Sequence, residues 1–336
     1  MSAKGWKVGI VGCGRIAGLK DRPARSSPVR THAQAYNRHG GFQLAACVNP
    51  TEELLRKFQE KWKIPNGYRD LAAMLEKERL DVISLCSPSE FHASQVEQIL
   101  ASASKPQVLF VEKPVCLQEQ KQYSLLRKAE ESGVKILVNH SRRFDPVHQE
   151  LRKLIGTGTL GNLTQARCLY YGGWLNNGVH LIDTLRMLLS QGLSLVSSRP
   201  AGHGRGKDAN LDLDLRVGEA TIEIRAFDER RYQLFEMDLC FEQGRIRLLD
   251  AGFRIMTEKV KVNAWGERVL SPVAGFPKKG LVSPLAEAVR GIARVLRGKA
   301  KVLEWGVDLP TALKTMQFLW KARAMAELQQ EAVHAL

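Results

Sequence analysis

The chain has 336 residues, of which 44% are hydrophobic and 25% are charged. This composition is typical of a globular protein with an ample core, and the length favours two domains. The formal net charge of +15 is unusual and fits an anionic substrate, an anionic surface or nucleic acid. Because the basic residues are scattered, without a lysine tract or a zinc-finger or RNA-binding signature, we expect no nucleic-acid partner.

The six cysteines are widely spaced and form no C-x-x-C motif. This pattern favours a reduced, cytoplasmic protein without disulfides or structural zinc. The segment from Met1 to Trp6 leads into a predicted strand without the apolar region of a signal peptide. No window approaches the ~18 apolar residues of a membrane span, so no membrane partner is expected. We also expect no metal, because His140 and His148 lack partners at metal-ligand spacing.

The first part of the chain, up to about residue 140, alternates short apolar runs with helix-like segments. This alternation is typical of a parallel sheet that helices cover on both faces. The predicted strands are Lys7–Val11, Phe42–Val48, Asp81–Cys86, Gln107–Val111 and Val134–Val138, and the predicted helices are 51–62, 70–78, 90–103 and 118–131.

The pattern changes after Pro146 to residues that alternate between apolar and polar, which indicates an antiparallel sheet. We expect an α/β protein with a dinucleotide-binding domain at 1–140 and an α+β domain with an open, mainly antiparallel sheet at 141–336. C-terminal helices could pack back on the first domain. Predicted elements are strands at Leu211–Val217, Thr221–Arg225, 232–243 and 245–250, amphipathic helices at Leu281–Leu296 and Pro310–Gln330, and a mobile loop at Gly202–Asn210.

A glycine turn follows the first predicted strand and reads G-x-G-x-x-A from Gly12 to Ala17. Gly12 permits a tight turn, Gly14 lets the backbone approach a pyrophosphate, and Ala17 allows a helix to pack closely. The helix N-terminus expected next offers N–H groups and a positive dipole end to phosphates. This context predicts dinucleotide binding by the turn, with Gly12, Gly14, Arg15 and Ile16 as cofactor contacts.

The residue after the second predicted strand usually decides between NAD and NADP. An acidic residue there binds the adenosine ribose, whereas this chain has Asn49. Asparagine can still bond a ribose hydroxyl, but it lacks the charge that repels a 2′-phosphate. Because no arginine follows immediately and Glu52 and Glu53 disfavour a phosphate, we predict NAD rather than NADP.

Polar residues also follow the third and fourth predicted strands, where open α/β sheets bind ligands. Ser87, Pro88 and His92 follow the third strand, and Glu112-Lys113-Pro114 follows the fourth. Pro114 restricts the backbone, so that Lys113 can be held pointing into a cleft. A desolvated lysine beside a nicotinamide cation could have a lowered pKa and take part in proton transfer. Taken alone, Lys113 is more simply interpreted as a surface lysine in a turn.

Several motifs in chain order resemble the glucose–fructose oxidoreductase/inositol dehydrogenase (Gfo/Idh/MocA) family. They are G-x-G-R-I-A, S-P-x-x-x-H, E-K-P, the run from Val138 to Pro146 (V-N-H-S-R-R-F-D-P), and G-V-H-L-I-D. The resemblance covers nearly the whole chain, and E-K-P with G-x-H-x-x-D is far more specific than the glycine turn. It implies a Rossmann domain, an α+β domain and NAD(P)-dependent oxidation or reduction of sugars or cyclitols.

The resemblance also implies roles for individual residues. Lys113 matches the family's active-site lysine, and His180 matches its usual general acid/base. Asp183, one helical turn after His180, would orient it or bind a substrate hydroxyl. Glu112 would approach the nicotinamide ribose, and Arg143 would lie near the nicotinamide end. The expected cofactor contacts are thus Gly12, Gly14, Arg15, Ile16, Asn49, Ser87, Pro88, His92, Glu112, Lys113 and Arg143, and the expected catalytic residues are Lys113, His180, Asn176 and Asp183.

The chain departs from the family at two places. The family commonly has aspartate four residues before the histidine, and here that residue is Asn176. Its loss removes one source of a raised histidine pKa, although Asn176 could grip a substrate hydroxyl or amide. Between Leu19 and Thr31 the chain carries a basic insertion before His32, the histidine that relatives carry on the first helix. The insertion could close over the cleft and hold a phosphate or carboxylate, or it could be a solvated loop.

The segment before His180 bears on the substrate. Tyr170, Tyr171 and Trp174 could stack on a sugar ring or belong to the core. With the insertion, the Y-x-G-x-x-N-N-G-x-H pattern resembles a subgroup associated with bacterial surface-polysaccharide or secondary-metabolite sugars. It implies a sugar or nucleotide-sugar substrate, without identifying it or fixing the reaction direction.

Three alternatives to this oxidoreductase stay open: an NAD-dependent glycosidase of the same family, a non-catalytic NAD-binding regulator or scaffold, and a nucleic-acid-binding protein. The outer face of the second sheet is expected to carry many apolar residues. Since that face contacts another subunit in relatives, we predict a homodimer or homotetramer.

Overall fold

The computed structural model describes residues 5–19, 28–190, 192–205 and 208–334. The chain divides into two compact units. The first unit comprises Met1–Phe144 and Ser283–Lys314, and the second comprises Asp145–Val282 and Thr315–Leu336. The segment 283–314 therefore belongs with the N-terminal part of the chain.

The first unit contains a six-stranded parallel sheet in the order β3-β2-β1-β4-β5-β6. The order reverses between β1 and β4, and this reversal creates the crevice where doubly wound sheets bind ligands. This arrangement confirms the predicted Rossmann fold. The strands are β1 (Trp6–Val11), β2 (Phe42–Val48), β3 (Asn66–Tyr68), β4 (Val82–Leu85), β5 (Val108–Val111) and β6 (Lys135–Val138).

Ten α-helices lie in the described ranges, together with a few short turns of 3-10 and π helix. Helix α2 shows why such segments pack on a sheet: Leu55, Phe58 and Trp62 share one face and are buried. The helices are α1 (His32–His39), α2 (Glu52–Trp62), α3 (Leu71–Lys77), α4 (His92–Ala101), α5 (Gln122–Ser132), α6 (Ser141–Phe144), α7 (Pro146–Gly156), α8 (Val179–Leu189), α9 (Pro284–Leu296) and α10 (Leu309–His334).

The basic insertion interrupts the helix that was expected directly after the glycine turn. Residues 14–19 form turns, and α1 begins only at His32. The backbone N–H of His32 donates to the carbonyl of Ile16 at 3.1 Å, and that of Ala33 donates to Ala17 at 3.0 Å. The turn and α1 thus share backbone hydrogen bonds across the insertion, of which residues 20–27 lie outside the described residues.

The second unit contains a nine-stranded sheet in which only β7 and β10 pair in parallel. Its main order is β14-β13-β12-β11-β7-β10-β9-β8, with β15 beside β13. The mainly antiparallel sheet of the predicted fold is therefore confirmed. The strands are β7 (Leu163–Tyr170), β8 (Ser194–Arg205), β9 (Asp208–Val217), β10 (Ala220–Ala226), β11 (Glu236–Phe241), β12 (Gly244–Leu249), β13 (Arg254–Val262), β14 (Arg268–Pro272) and β15 (Lys278–Lys279).

One expectation about this sheet was wrong. The segment Gly202–Asn210 was expected to be a mobile loop, but its described residues extend β8 and β9. The outer face, which was expected to carry many apolar residues, also carries arginine–carboxylate pairs such as Arg225–Asp214 at 2.7 Å and Arg247–Glu258 at 3.1 Å. Alternation places the leucines and isoleucines of β9 and β10 on the buried face.

All six cysteines are free, and burial raises the pKa of Cys86 well above its ordinary value. No cluster of metal-ligating side chains occurs among the described residues. Within the same part of the chain, no helix combines the length and the apolar character needed to cross a membrane.

Candidate active site

The carboxyl edge of the parallel sheet gathers most of the predicted cofactor contacts. The N–H of Gly12 donates to Val48 at the end of β2, and the N–H of Glu112 donates to Leu85 at the end of β4. The N–H of Asn139 similarly donates to Val111 at 2.7 Å. These bonds align the strand ends. They bring the glycine turn, Asn49, Ser87, Pro88, Glu112 and Lys113 to one edge of the first unit.

The glycine turn is tight on one side and open on the other. Gly12 has a φ of +88°, and an added Cβ would lie 2.6 Å from the backbone nitrogen of Ser87. An added Cβ at Gly14 would meet no atom within 4 Å. Ala17 is completely buried. The turn is thus held against the segment after β4, while the Gly14 side offers the space that a pyrophosphate requires.

Asn49 is held by the backbone on both sides of its amide. Its Oδ1 accepts the N–H of Cys13 at 3.3 Å, and its Nδ2 donates to the carbonyl of Thr51 at 3.2 Å. The side chain is 9% exposed. Asn49 therefore links the glycine turn to the start of α2. The sequence had predicted its contact with the ribose, but not this structural role.

Glu112 lies at the centre of a buried hydrogen-bond network. Its Oε1 lies 2.9 Å from Nε2 of His32 and accepts from Nδ2 of Asn139 at 2.5 Å. The other ring nitrogen of His32 lies 3.3 Å from the hydroxyl of Ser84, which bonds the hydroxyl of Tyr36 at 2.8 Å. Each side chain needs this network because burial removes water as a partner. The first histidine of α1 thereby supports the Glu-Lys-Pro segment from within the fold.

The network determines how Glu112 ionises. Burial favours the neutral acid, but hydrogen bonding and charge from His32, with Asn139 and the positive charge of Lys113, outweigh it and lower the pKa of Glu112. A carboxyl with a lowered folded-state pKa contributes stability that is fully present above its ordinary pKa of 4.5. That contribution is lost as the pH falls through the lower folded-state value.

We predict that Glu112→Gln lowers the free energy of unfolding by about 1–3 kcal/mol at pH 7, because it removes the charged partner of His32. Urea unfolding at pH values from 7 to 3 measures this difference. The difference should shrink as the wild-type carboxylate is protonated. Glu60→Gln, an exposed change on α2, is the control and should unfold like the wild type. Equal stability of Glu112→Gln and wild type at pH 7 would contradict this role of the network.

His92 ties together the two turns that carry the predicted site residues. Its ring nitrogens each lie 2.8 Å from a carbonyl oxygen, one of Ser87 and one of Pro114. The ring is 1% exposed. The Lys113–Pro114 peptide bond is cis. The structure therefore assigns His92 contacts with the protein backbone that hold the segment around Lys113, whereas the sequence predicted a contact with the cofactor.

Arg143 lies on α6 and is 5% exposed. Its Nη1 lies against Gly306, where an added Cβ would come within 2.8 Å. Gly306 has a φ of +61°, a backbone conformation that favours glycine. This buried guanidinium is consequently packed within the first unit.

In the second unit, a π-helical turn precedes the helix that carries His180. The turn spans Trp174–Gly178, and α8 begins at Val179. Asp208 at the start of β9 accepts the N–H of Leu175 on Oδ1 and the N–H of Asn176 on Oδ2, each at 2.9 Å. Such π-helical turns are frequent at functional sites.

The carboxylate of Asp208 comes so close that residue 173 has to be glycine. An added Cβ on Gly173 would lie 2.1 Å from its Oδ2, and Gly173 has a φ of +98°. Burial raises the pKa of Asp208, although the N–H groups of Leu175, Asn176 and Trp174 favour the charged form. Asp208 could not be found from the sequence, because a single aspartate at the start of a strand gives no sign of the distant turn that it holds.

Three other residues near His180 make contacts within the second unit. The Asn176 side chain donates to the carbonyl of Gly172 at 3.1 Å. Asp183 is 2% exposed and accepts from the hydroxyl of Thr315 at 3.3 Å. Trp174 is 1% exposed and donates from Nε1 to Leu319. Of the two interpretations of Tyr170 and Trp174, the structure supports the core, since Tyr170 is also fully buried.

We predict that Asp208→Asn lowers kcat/KM by about tenfold or more, because an amide has one acceptor oxygen for two backbone donors. Steady-state kinetics and NAD(H) binding should be measured together. The Kd for NAD(H) should stay unchanged, since Asp208 lies in the second unit. Asp228→Ala removes an aspartate that pairs with the exposed Arg230 and is the control. An unchanged kcat/KM in Asp208→Asn would show that the π-helical turn keeps its conformation without the Asp208 carboxylate.

The geometry agrees with a comparison to known families. Residues 6–140 match the family model GFO_IDH_MocA, described as an oxidoreductase family with an NAD-binding Rossmann fold. The resemblance inferred from the motifs is therefore confirmed for the first unit, and the family description includes binding of a nicotinamide dinucleotide.

Solved structures with the same fold extend over both units. The WlbA dehydrogenase from Bordetella pertussis, in complex with NADH and UDP-GlcNAcA, is 18% identical, with 97% of each chain covered and a TM-score of 0.77. A 3-ketoreductase from Actinomadura kijaniata, in complex with NADP, is 17% identical, with 96% of this chain and 97% of that chain covered and a TM-score of 0.74. At this identity the likeness shows the fold.

Curated relatives match a smaller part of the chain. Myo-inositol 2-dehydrogenase from Thermotoga maritima is 24% identical over 155 residues, which are 46% of this chain and 42% of that protein. The chain spans about half the length of the first relatives that it matches.

Proposed function

We propose that the chain is an NAD(P)(H)-dependent oxidoreductase that acts on a secondary alcohol or ketone of a sugar-like substrate. One observation carries this proposal. The glycine turn is open at Gly14 and lies at the same sheet edge as the Glu112–Lys113 segment. An open turn suits a pyrophosphate, and a lysine held at that edge suits proton chemistry at the cofactor's reactive end.

The residues of the first unit fit a dinucleotide. The space at Gly14 accepts the pyrophosphate, and Arg15, Ile16, Ser87, Pro88 and the glycine turn would line its path. When bound, the nicotinamide ring supplies or accepts the hydride. Asn49 and Glu52 favour NAD(H), because a neutral amide can bond a ribose hydroxyl and a carboxylate repels a 2′-phosphate.

The chemistry at the substrate oxygen is assigned to Lys113 and His180. In the oxidative direction His180 accepts the hydroxyl proton, while the Lys113 ammonium donates a hydrogen bond that polarises the same oxygen. In reduction His180 returns the proton and Lys113 again polarises the oxygen. Asn176 and Asp183 are proposed to orient His180 or the substrate. Glu112 is proposed to hold Lys113 and to approach the nicotinamide ribose. Arg143 is proposed to lie near the nicotinamide end.

The proposed substrate is a sugar that carries an anionic group, such as a nucleotide sugar. The formal net charge of +15 supports this class by attracting anions. The complexes of structural neighbours with UDP-GlcNAcA and TDP-benzene also support it. The basic insertion is proposed to contribute positive charge that attracts the substrate. Its residues 20–27 lie outside the described residues.

We further propose that the enzyme works in the cytoplasm as a homodimer or homotetramer. Six free cysteines favour a reducing compartment. The assembly follows the resemblance described above, since the outer face of the second sheet contacts another subunit in relatives. A monomer by light scattering at micromolar concentration would contradict the assembly.

A thermal-shift panel tests the proposed function with NAD(H) and NADP(H), each with and without UDP- and dTDP-sugars. Ligands that bind only the folded chain raise the midpoint by mass action. A shift with NAD(H) that one nucleotide sugar enlarges supports the proposal. Glycoside cleavage without net NADH formation would favour the glycosidase. NAD(H) binding without turnover would favour a regulator or scaffold.

A further inference from the structure

A guanidinium reaches the end of β2 from a neighbouring strand. Arg69 directly follows β3, and its Nε and Nη2 donate to the carbonyl of Pro50 at 3.3 and 3.2 Å. Pro50 is the residue after Asn49, whose own N–H donates to Tyr68 at 3.0 Å. The sequence places no arginine immediately after Asn49, but the parallel pairing of β2 and β3 supplies one.

The surroundings of Arg69 combine features that attract an anion with one that opposes it. Helix α2 has 11 residues and begins here, and the side chain of its N-cap, Thr51, makes no capping hydrogen bond. A helix N-terminus favours negative charge. Glu52 opposes an anion, and its Oε2 lies 3.9 Å from Nε of Arg69. Both side chains are about 70% exposed, so their mutual attraction is weak and a ligand phosphate can compete for the arginine.

Among Rossmann folds, the residue after β2 meets the adenosine ribose, and an arginine nearby accommodates a 2′-phosphate. We infer that Arg69 binds the 2′-phosphate of NADP(H), so that the chain can use NADP(H) as a second cofactor. This inference rests on the proposed function. Asn49 accepts either ribose, because it carries no charge. Glu52 sets the preference for NAD(H), and Arg69 limits how strong that preference is.

Isothermal titration of the full chain with adenosine 2′,5′-bisphosphate and with 5′-AMP isolates the contribution of the 2′-phosphate. Arg69→Ala should weaken binding of the bisphosphate by about tenfold or more, because it removes a charge-assisted contact. It should change binding of 5′-AMP and NADH less than about twofold. Glu52→Gln should tighten the bisphosphate by about threefold. Arg69→Lys should restore part of the loss.

Arg79→Ala is the matched control. Arg79 also donates to backbone carbonyls, those of Glu76 and Glu78, but it follows α3 and lies before β4, at the amino end of the sheet. Its removal should leave both titrations unchanged. If 5′-AMP and NADH bind while Arg69→Ala and wild type bind the bisphosphate equally, Arg69 does not read the 2′-phosphate. If no adenosine ligand or dinucleotide binds to the wild type, the proposed function itself fails.

Discussion

Replacing Lys113 with methionine is expected to lower kcat by about 10²- to 10⁴-fold, the usual contribution of a positioned acid or base. The change keeps the length of the side chain and removes its ammonium group. The Kd for NAD(H) should change by less than about threefold, because the glycine turn and the segment after β4 supply most of the predicted contacts. Steady-state kinetics and a fluorescence titration of NADH separate these two effects.

Lys135→Met provides the control for this variant. Lys135 is exposed and begins β6, so it lies at the amino edge of the same sheet, opposite to the edge that carries Lys113. Its removal should leave kcat unchanged. If Lys113→Met turned over at the wild-type rate, Lys113 would be a surface residue of the turn, and the proton chemistry would have to be reassigned to the second unit.

Gly12→Ala should destabilise the fold by about 2–4 kcal/mol, because it combines backbone strain with a steric overlap. The new Cβ would lie within 2.6–2.8 Å of the backbone of Ser87 and Cys86, which cannot move aside as a flexible side chain can. Thermal or urea unfolding measures the loss. Dinucleotide binding should fall with it, since the turn and the segment after β4 lie at one sheet edge.

Gly14→Ala separates binding from stability. Its added Cβ would meet no protein atom, so stability should stay within about 1 kcal/mol of the wild type, while NAD(H) affinity falls because the methyl group occupies the space for the pyrophosphate. Gly156→Ala, at the end of α7 and equally open, should change neither property. Full NAD(H) affinity in Gly14→Ala would mean that the dinucleotide does not use this turn.

Local patterns predicted the parts of the fold that depend on local sequence. All five predicted strands of the first sheet end within one residue of the end of a strand in the structure, because a strand buried on both faces is a continuous apolar run. Gly12 could be identified because its positive φ belongs to a turn of only a few residues, which depends on local sequence. Strand β7 has only partial alternation between Leu163 and Tyr170, and it was missed although it lies between β10 and β11.

Contacts between distant residues could not be predicted from local patterns. Arg69 reaches Pro50 through strand pairing, and Asp208 reaches the turn before α8 through a fold that places β9 beside it. The insertion was recognised, but the hydrogen bond from the N–H of His32 to the carbonyl of Ile16 joins residues on its two sides and could not be predicted. The charged pairs on the outer face of the second sheet could not be predicted from the sequence, because alternation alone does not show which of the two faces is buried.

Hydride transfer by this chain is tested most directly with NADH that carries deuterium at the transferring position of nicotinamide C4. The labelled cofactor is incubated with the chain and the keto form of the nucleotide sugar that gives the largest thermal shift. Mass spectrometry of the sugar should then find one deuterium on the new carbinol carbon. A reduced sugar without the label, or no reduced sugar at a cofactor concentration that saturates binding, would contradict hydride transfer by this chain.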